Sequence, residues 1–302
     1  MRQADMPLTS PPRDEPFRCA PATDIRVDPF LGSVVHVVTS RQGRPNLPSS
    51  GCPFCVGGLE APEPYAVRSF PNRWPALGEG RCEVVLYTPD HDATFAELGV
   101  DGARRVIDLW ASRTEALATH DEVEFVLVFE NRGADVGATI PHPHGQIYAF
   151  DHVPSRPHRR LLAGWRPDRV PGPRQVAHVG DWRCWSTQAP IYPVSLTLSP
   201  DGRVANLIEL SSASRGDLAA LLVDVLDRLD RLHDRALPYM MWINQVLPSM
   251  ADRYERPWLN IEIVSPWRSA GVSRFIAAAE VACEEYFNPV HPDDLAEALR
   301  SI

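Results

Sequence analysis

A long amphipathic helix followed by two strands occurs twice in this chain. That repetition constrains the fold more than any other feature. In the first half, "DGARRVIDLWASRTEALATH" sets Val106, Leu109, Trp110 and Leu117 on one helical face, with Asp101 placed to cap it. "VEFVLVFEN" and "HPHGQIYAF" (His142–Phe150) follow as β-branched and aromatic runs. In the second half, "DLAALLVDVLDRLDRLHDRA" sets Leu218, Leu221, Leu222, Val225, Leu229 and Leu232 on one stripe, and "YMMWINQV" and "PWLNIEIVSP" are the strands after it. Asn260 and Glu262 then fall in the approximate places of His142 and His144. The pattern predicts an α+β fold of two tandem domains related by internal duplication, each an antiparallel sheet with a long helix. The expected domains are residues 18–168 and 175–302, joined through the Pro-rich "RPDRVPGPRQ". Further strands are expected at Ser33–Ser40 and Cys82–Pro89, and a last helix at Val272–Tyr286.

Composition narrows the class. With 302 residues and 44% hydrophobic, the chain suffices for one large or two modest domains. Its net charge of -9 argues against a general nucleic-acid binder, which needs a basic footprint. "MRQADMPLTSPPRDEPF" has no apolar stretch after its charges, and no apolar run approaches the roughly 20 residues that span a bilayer. No membrane association and a cytoplasmic location are expected. Six cysteines in this length do not make a disulfide scaffold, and a reducing compartment keeps them as thiols.

Two stretches carry chemistry. "CPFC" places Cys52 and Cys55 at a spacing that suits one zinc, although a redox dithiol and a pair of small buried side chains share it. Zinc needs two more ligands, and His91 in "YTPDHDATF" and His142 are candidates. In "IPHPHGQ", Pro141 and Pro143 hold the preceding residues extended, so His142, His144 and Gln146 are expected to project to one side. Gly145 is expected to leave room for a phosphate to approach closely. A neutral imidazole is a competent nucleophile if its second nitrogen is held by an acceptor such as a backbone carbonyl.

"FENRGADVGATIPHPHGQIYAF" resembles the active-site segment of the galactose-1-phosphate uridylyltransferase family, the nucleotidyltransferase branch of the histidine-triad superfamily. Weaker similarity runs through "SRQGRPN", "CPFC", "FPNRWPAL", "TPDHDATFAEL" and "SPWRSAGVSRFIAAAE". The resemblance implies two histidine-triad-like domains and a nucleophile at His144. This residue would take UMP from a UDP-hexose and pass it to a hexose 1-phosphate by ping-pong transfer. It implies one structural zinc on Cys52, Cys55, His91 and His142. It also implies nucleotide or phosphate contacts from Arg41, Arg44, Phe70, Asn72, Asn131, Gly137 and Thr139, a phosphoryl-holding amide at Gln146, and a sugar contact at Glu280. Arg41 and Arg44 match arginines that reach across a dimer interface, which implies a homodimer. The partners are then a nucleotide sugar and a hexose 1-phosphate.

The amide at position 146 separates transfer from hydrolysis. Hydrolases of the superfamily have a third histidine there, which moves protons for water. An amide only donates hydrogen bonds to phosphoryl oxygens. The chain departs from the family in the C-terminal half, where many members hold a second metal. Asn260 and Glu262 stand where histidines do, Arg160 lies near the place of a glutamate, and no second metal is expected. Ser195, Ala279 and Arg73 also depart from the family's sugar- and nucleoside-contacting pattern. The alternative readings are an AMP-transferring phosphorylase or adenylyltransferase of the same superfamily, and a zinc-stabilised fold without turnover.

Overall fold

Apolar side chains recur at every second position of the central strands, and their common face carries the core. The structure, a computed structural model, describes residues 24–39, 41, 51–78 and 80–302. In the first half, β3 (Arg68–Pro71), β4 (Cys82–Leu86), β5 (Phe125–Arg132) and β6 (His144–Phe150) lie in the order β3-β4-β6-β5. In the second, β7 (Gln175–Val179), β8 (Trp182–Ser186), β9 (Val194–Pro200), β10 (Tyr239–Asn244) and β11 (Asn260–Ser265) lie in the order β10-β11-β9-β8-β7. Every pairing is antiparallel. The halves share one connectivity: β6 inserts between β4 and β5 as β11 inserts between β9 and β10. The two expected sheets are joined, because β5 pairs with β10 from Val128↔Ile243 to Arg132↔Tyr239. The result is a single sheet of nine strands among the described residues.

Helices α1 (Gly99–Ala118) and α3 (Ser212–Arg231) pack together against one face of this sheet. Val106, Ile107 and Trp110 of α1 and Leu218, Leu221, Leu222 and Val225 of α3 are fully buried there. They meet Val85, Val128, Ile147, Leu196, Ile243 and Ile263 from the strands. Arg113 grips Glu83 of β4 through two hydrogen bonds of 2.8 and 2.6 Å, and Arg215 bonds Asp108 across the helix pair at 3.1 Å. The opposite face of the sheet is polar and carries the site.

Several boundaries differ from the sequence expectation. Helix α3 starts five residues early because Ser211 caps it, accepting from the Ser214 N–H at 3.1 Å. Asp101 lies inside the first turn of α1, whose N-terminal flank, Leu98, makes no side-chain cap bond. Among the described residues of the expected strand at Ser33–Ser40, which exclude Ser40, Val34–Val37 (β2) form a strand that pairs with Asp24–Val27 (β1) in a separate ribbon. The Val272–Tyr286 helix is not formed as one element. Val272–Ser273 (β13) turns back on Trp267–Ser269 (β12) around Gly271, whose φ is +69°. Only Ala278–Cys283 (α4) is helical, ending at Glu284 with φ +51°. Val272 and Phe275 are exposed, so the apolar spacing there meets no core. Two helices outside the expectation, α2 (Ser155–Leu162) and α5 (Pro292–Ser301), cover the sheet's polar face and its β7 edge.

Candidate active site

Strand β6 presents the site because its side chains alternate strictly. His144, Gln146 and Tyr148 are half-buried on the polar face, while Gly145, Ile147 and Ala149 are buried on the helix face. Gly145 therefore makes room for a different group than expected. A Cβ there would lie 2.1 Å from Tyr87 Oη and 3.1 Å from the Phe129 carbonyl oxygen. One residue from the nucleophile candidate, the alternation turns the glycine toward the core.

His142, just before β6, joins Cys52, Cys55 and His91, and one ligand atom from each lies within 4.8 Å of the others. Cys55 Sγ is 3.5 Å from His91 Nδ1 and 3.7 Å from His142 Nδ1. A tetrahedral ion with S at about 2.3 Å and N at about 2.0–2.1 Å would set these separations near 3.6 Å, so the donor set fits a metal. The outer contacts fit as well. His142 Nε2–H donates to the Thr88 carbonyl at 2.8 Å, which leaves Nδ1 as the ligating nitrogen. Tyr65 Oη sits 3.0 Å from the same Nε2 and 2.8 Å from the Phe54 and Thr88 carbonyl oxygens. Burial lowers the His142 pKa and keeps the ring neutral. Burial, then the neighbouring Cys52 thiol, raises that of Cys55, an opposition that a bound cation relieves.

The His144 ring, which like that of His142 meets Phe54 (5.1 and 6.1 Å), lines a cavity of about 180 Å³ with Arg41, Phe129, Asn131, Gly137, Ala138, Thr139, Gln146 and Tyr148. Its Nδ1 lies 2.8 Å from the His142 carbonyl oxygen. Nδ1–H donates to that carbonyl, which favours the tautomer with its lone pair on Nε2. Asn72 Nδ2 donates to Gln146 Oε1 at 3.2 Å, so the Gln146 NH₂ is the end left to serve an acceptor in the cavity. Asn72 is itself held by the Trp74 N–H, which donates to its Oδ1 at 2.8 Å. Among the described residues no carboxylate lines this cavity, and Arg41 adds a cation. The arrangement suits a phosphoryl group beside a nucleophilic nitrogen.

The structure thus gathers Arg41, Asn131, Gly137, Thr139, His144 and Gln146 around one cavity, with Asn72 behind them. Arg41 lines the cavity of its own chain, where the resemblance had it reaching into a partner's. Arg44 lies outside the described residues. Phe70 does not line the cavity; it packs on Phe54 at 5.9 Å, and Phe54 in turn meets His144 at 5.1 Å. Glu280 is buried and occupied within its own segment. It pairs with Arg274 and accepts from the Ala277 and Phe287 N–H groups at 3.1 and 3.0 Å. Arg73 pairs with Glu60 at 2.9 Å. Tyr148 and Phe129, unassigned from sequence, were legible in part: Tyr148 is two residues beyond Gln146 on the same face of an alternating strand. Tyr65 has no sequence signal of its own.

In the C-terminal half, Arg156 and Arg160 converge on Glu262. Asn244 Nδ2 donates to Asn260 at 2.9 Å and to Glu262 at 3.1 Å. Burial and the neighbouring Arg156 push the Arg160 guanidinium down to about 10.

Residues 73–154 match the family described as galactose-1-phosphate uridyl transferase, N-terminal domain. The galactose-1-phosphate uridylyltransferase of Thermotoga maritima is 32% identical over 310 residues, covering 92% of this chain and 98% of its own. A solved uridylyltransferase structure superposes with a TM-score of 0.80 at 24% identity, covering 92% of this chain and 97% of that one. An ADP-glucose phosphorylase from Arabidopsis thaliana with bound ADP-glucose superposes at 0.72 and 21% identity, covering 93% and 99%.

Proposed function

The chain belongs to the galactose-1-phosphate uridylyltransferase family, and from that premise we propose that it transfers UMP from a UDP-hexose to a hexose 1-phosphate through a nucleotidyl-histidine on His144. The observation that carries this reading is the 2.8 Å contact from His144 Nδ1 to the His142 carbonyl, inside a cavity whose other polar groups are cationic or neutral. His144 Nε2 attacks the α-phosphorus, the bond to the bridging oxygen breaks, and hexose 1-phosphate leaves. The imidazolium that forms keeps its proton on Nδ1, which donates to the His142 carbonyl. Gln146 and Thr139 donate to the non-bridging oxygens, and Arg41 offsets their charge. An incoming hexose 1-phosphate has an ionised oxygen and needs no base, so the reverse displacement completes the cycle.

Zinc is the metal that Cys52, Cys55, His91 and His142 would hold, because two thiolates and two imidazoles in a tetrahedron select it. Its contribution is structural: it ties the 52–55 loop and the 88–92 turn to the segment that delivers His144.

A homodimer is part of the same proposal. Phe30, Leu31 and Val27 on the β1–β2 ribbon and Phe275, Phe287 and Val281 near the C-terminus are exposed large apolar side chains. Sedimentation at micromolar concentration should give twice the 33.6 kDa chain mass.

The test of the reaction is covalent labelling. The protein incubated with UDP-glucose radiolabelled in the α-phosphate should retain acid-labile, base-stable label. A His144→Gly variant that still takes up label would remove His144 from the mechanism. Parallel incubation with labelled ADP-glucose separates the AMP-transferring reading, which the likeness to the phosphorylase fold keeps in view.

A further inference from the structure

Behind His144, on the helix face of the sheet, three polar groups meet in the core without hydrogen bonds of good geometry: Tyr87 Oη, Trp110 Nε1 and Glu130 Oε2. Each is fully or almost fully buried. A buried polar atom left so costs about 1–3 kcal/mol, so three together call for a reason. Their place supplies one. Tyr87 follows β4, the strand on one side of β6, and Glu130 belongs to β5, the strand on the other. Tyr87 Oη sits over Gly145, whose missing side chain is the space it uses, and Glu130 backs the tyrosine from β5. The Tyr87 N–H donates to the Pro143 carbonyl at 3.3 Å, so this one residue touches the segment on both sides of His144. Glu130 is anchored from the far side, where Tyr239 Oη donates to its Oε1 at 2.8 Å.

We infer that Glu130 and Tyr87 are positioning residues for His144, bracing the Pro143–Gly145 backbone from behind so that Nε2 stays aimed into the cavity. The brace acts on geometry alone, since neither side chain reaches the cavity. Two consequences follow from the contacts. The His142 carbonyl that sets the His144 tautomer belongs to the braced segment, so slack there misaligns both the ring and its acceptor. Substrate groups contact Gln146, Thr139 and Arg41 instead, so slack leaves binding largely intact. Burial pushes the Glu130 carboxyl up to about 7, so it stays largely protonated in mildly acidic conditions and can donate as well as accept.

The inference rests on His144 as nucleophile, and the experiment keeps the two apart. Label uptake by the unaltered protein, absent from His144→Gly, tests the nucleophile. The brace is then tested by single-turnover nucleotidylation with UDP-glucose, normalised to sites that finally carry label. Glu130→Ala should slow the step about 100-fold with KM for UDP-glucose within about twofold, because an ångström of misplacement costs that much. Glu130→Gln should recover to within about fivefold, since the amide keeps the acceptor for Tyr239 and fills the same space beside Tyr87. If Glu130→Ala does not fold, Tyr87→Phe decides: it keeps the ring and should slow the step about fivefold at unchanged KM. A per-site rate within twofold of the unaltered protein in the variant that folds, or a loss carried by KM, overturns the brace.

Discussion

Replacing Gly145 by alanine tests the tight spot behind β6. The added Cβ would lie 2.1 Å from Tyr87 Oη and 3.0 Å from the carbon that bears it. Ordinary contact needs about 3.5 Å, so the strand or the tyrosine must move by about 1.4 Å. Tyr87 has little freedom, with its ring edge-on to Phe95 at 5.5 Å and Trp110 at 5.8 Å. The strand therefore yields, and His144 yields with it. Overpacking of this kind costs about 1–3 kcal/mol of stability. An ångström-scale shift of His144, the proposed nucleophile, costs about 100-fold in the chemical step. Rapid-quench measurement of label uptake from UDP-glucose gives that rate directly, and calorimetry gives the stability. Adding Tyr87→Phe removes the 2.1 Å contact and leaves the one at 3.0 Å, so the double variant should recover about tenfold over Gly145→Ala alone. A Gly145→Ala enzyme with a label-uptake rate within threefold of the unaltered protein would refute the reasoning, as would a double variant no faster than the single one.

Other outcomes follow from the same contacts. Cys52→Ser should lose bound zinc, measured by atomic emission, and should lower Tm by about 5 °C or more, because a metal held only by the folded chain contributes folding free energy. Gln146→His should release free UMP steadily from UDP-glucose without an acceptor, as followed by chromatography, because the amide that cannot titrate is replaced by a group that can. Stability should depend on pH through Glu130. Its folded pKa, about 7, lies above the ordinary 4.5, so its contribution is full below about pH 4.5 and is lost as pH rises toward 7. That loss amounts to about 3 kcal/mol. Denaturation of Glu130→Gln and the unaltered protein at pH 5 and pH 7.5 should show the variant gaining ground at the higher pH; a constant difference would contradict this.

Much of the site was legible because its signals are local. Two prolines and an alternating strand are enough to place His144 and Gln146 on one face, and "CPFC" with two histidines is enough to anticipate a cluster. The same rule of alternation, applied one residue further, would have turned Gly145 toward the core. Other features depend on contacts remote in sequence. Nothing in "VEFVLVFEN" or "YMMWINQV" announces that they pair. Strand β9 is buried along its whole length, which erases the period of two. Helix α2 is short and arginine-rich, and what holds it is Glu262, 106 residues from Arg156. Glu280, which the resemblance implies as a sugar contact, is held by Arg274 and by the Ala277 and Phe287 N–H groups. The overextended last helix failed because apolar spacing predicts a helix only where a core awaits it.

The pairing of β5 with β10 also bears on how such a chain can be cut. Each half has its own hairpins and its own helix, so either looks separable on paper. Severed near residue 170, the N-terminal piece would end in β5 with an unpaired row of N–H and C=O groups along an apolar strand. Such an edge invites sheet-to-sheet aggregation. The C-terminal half, although it carries neither the Cys52–Cys55 pair nor His144, is thus the lid on a sticky border, and gene fragments ending at the linker should yield inclusion bodies instead of a minimal enzyme.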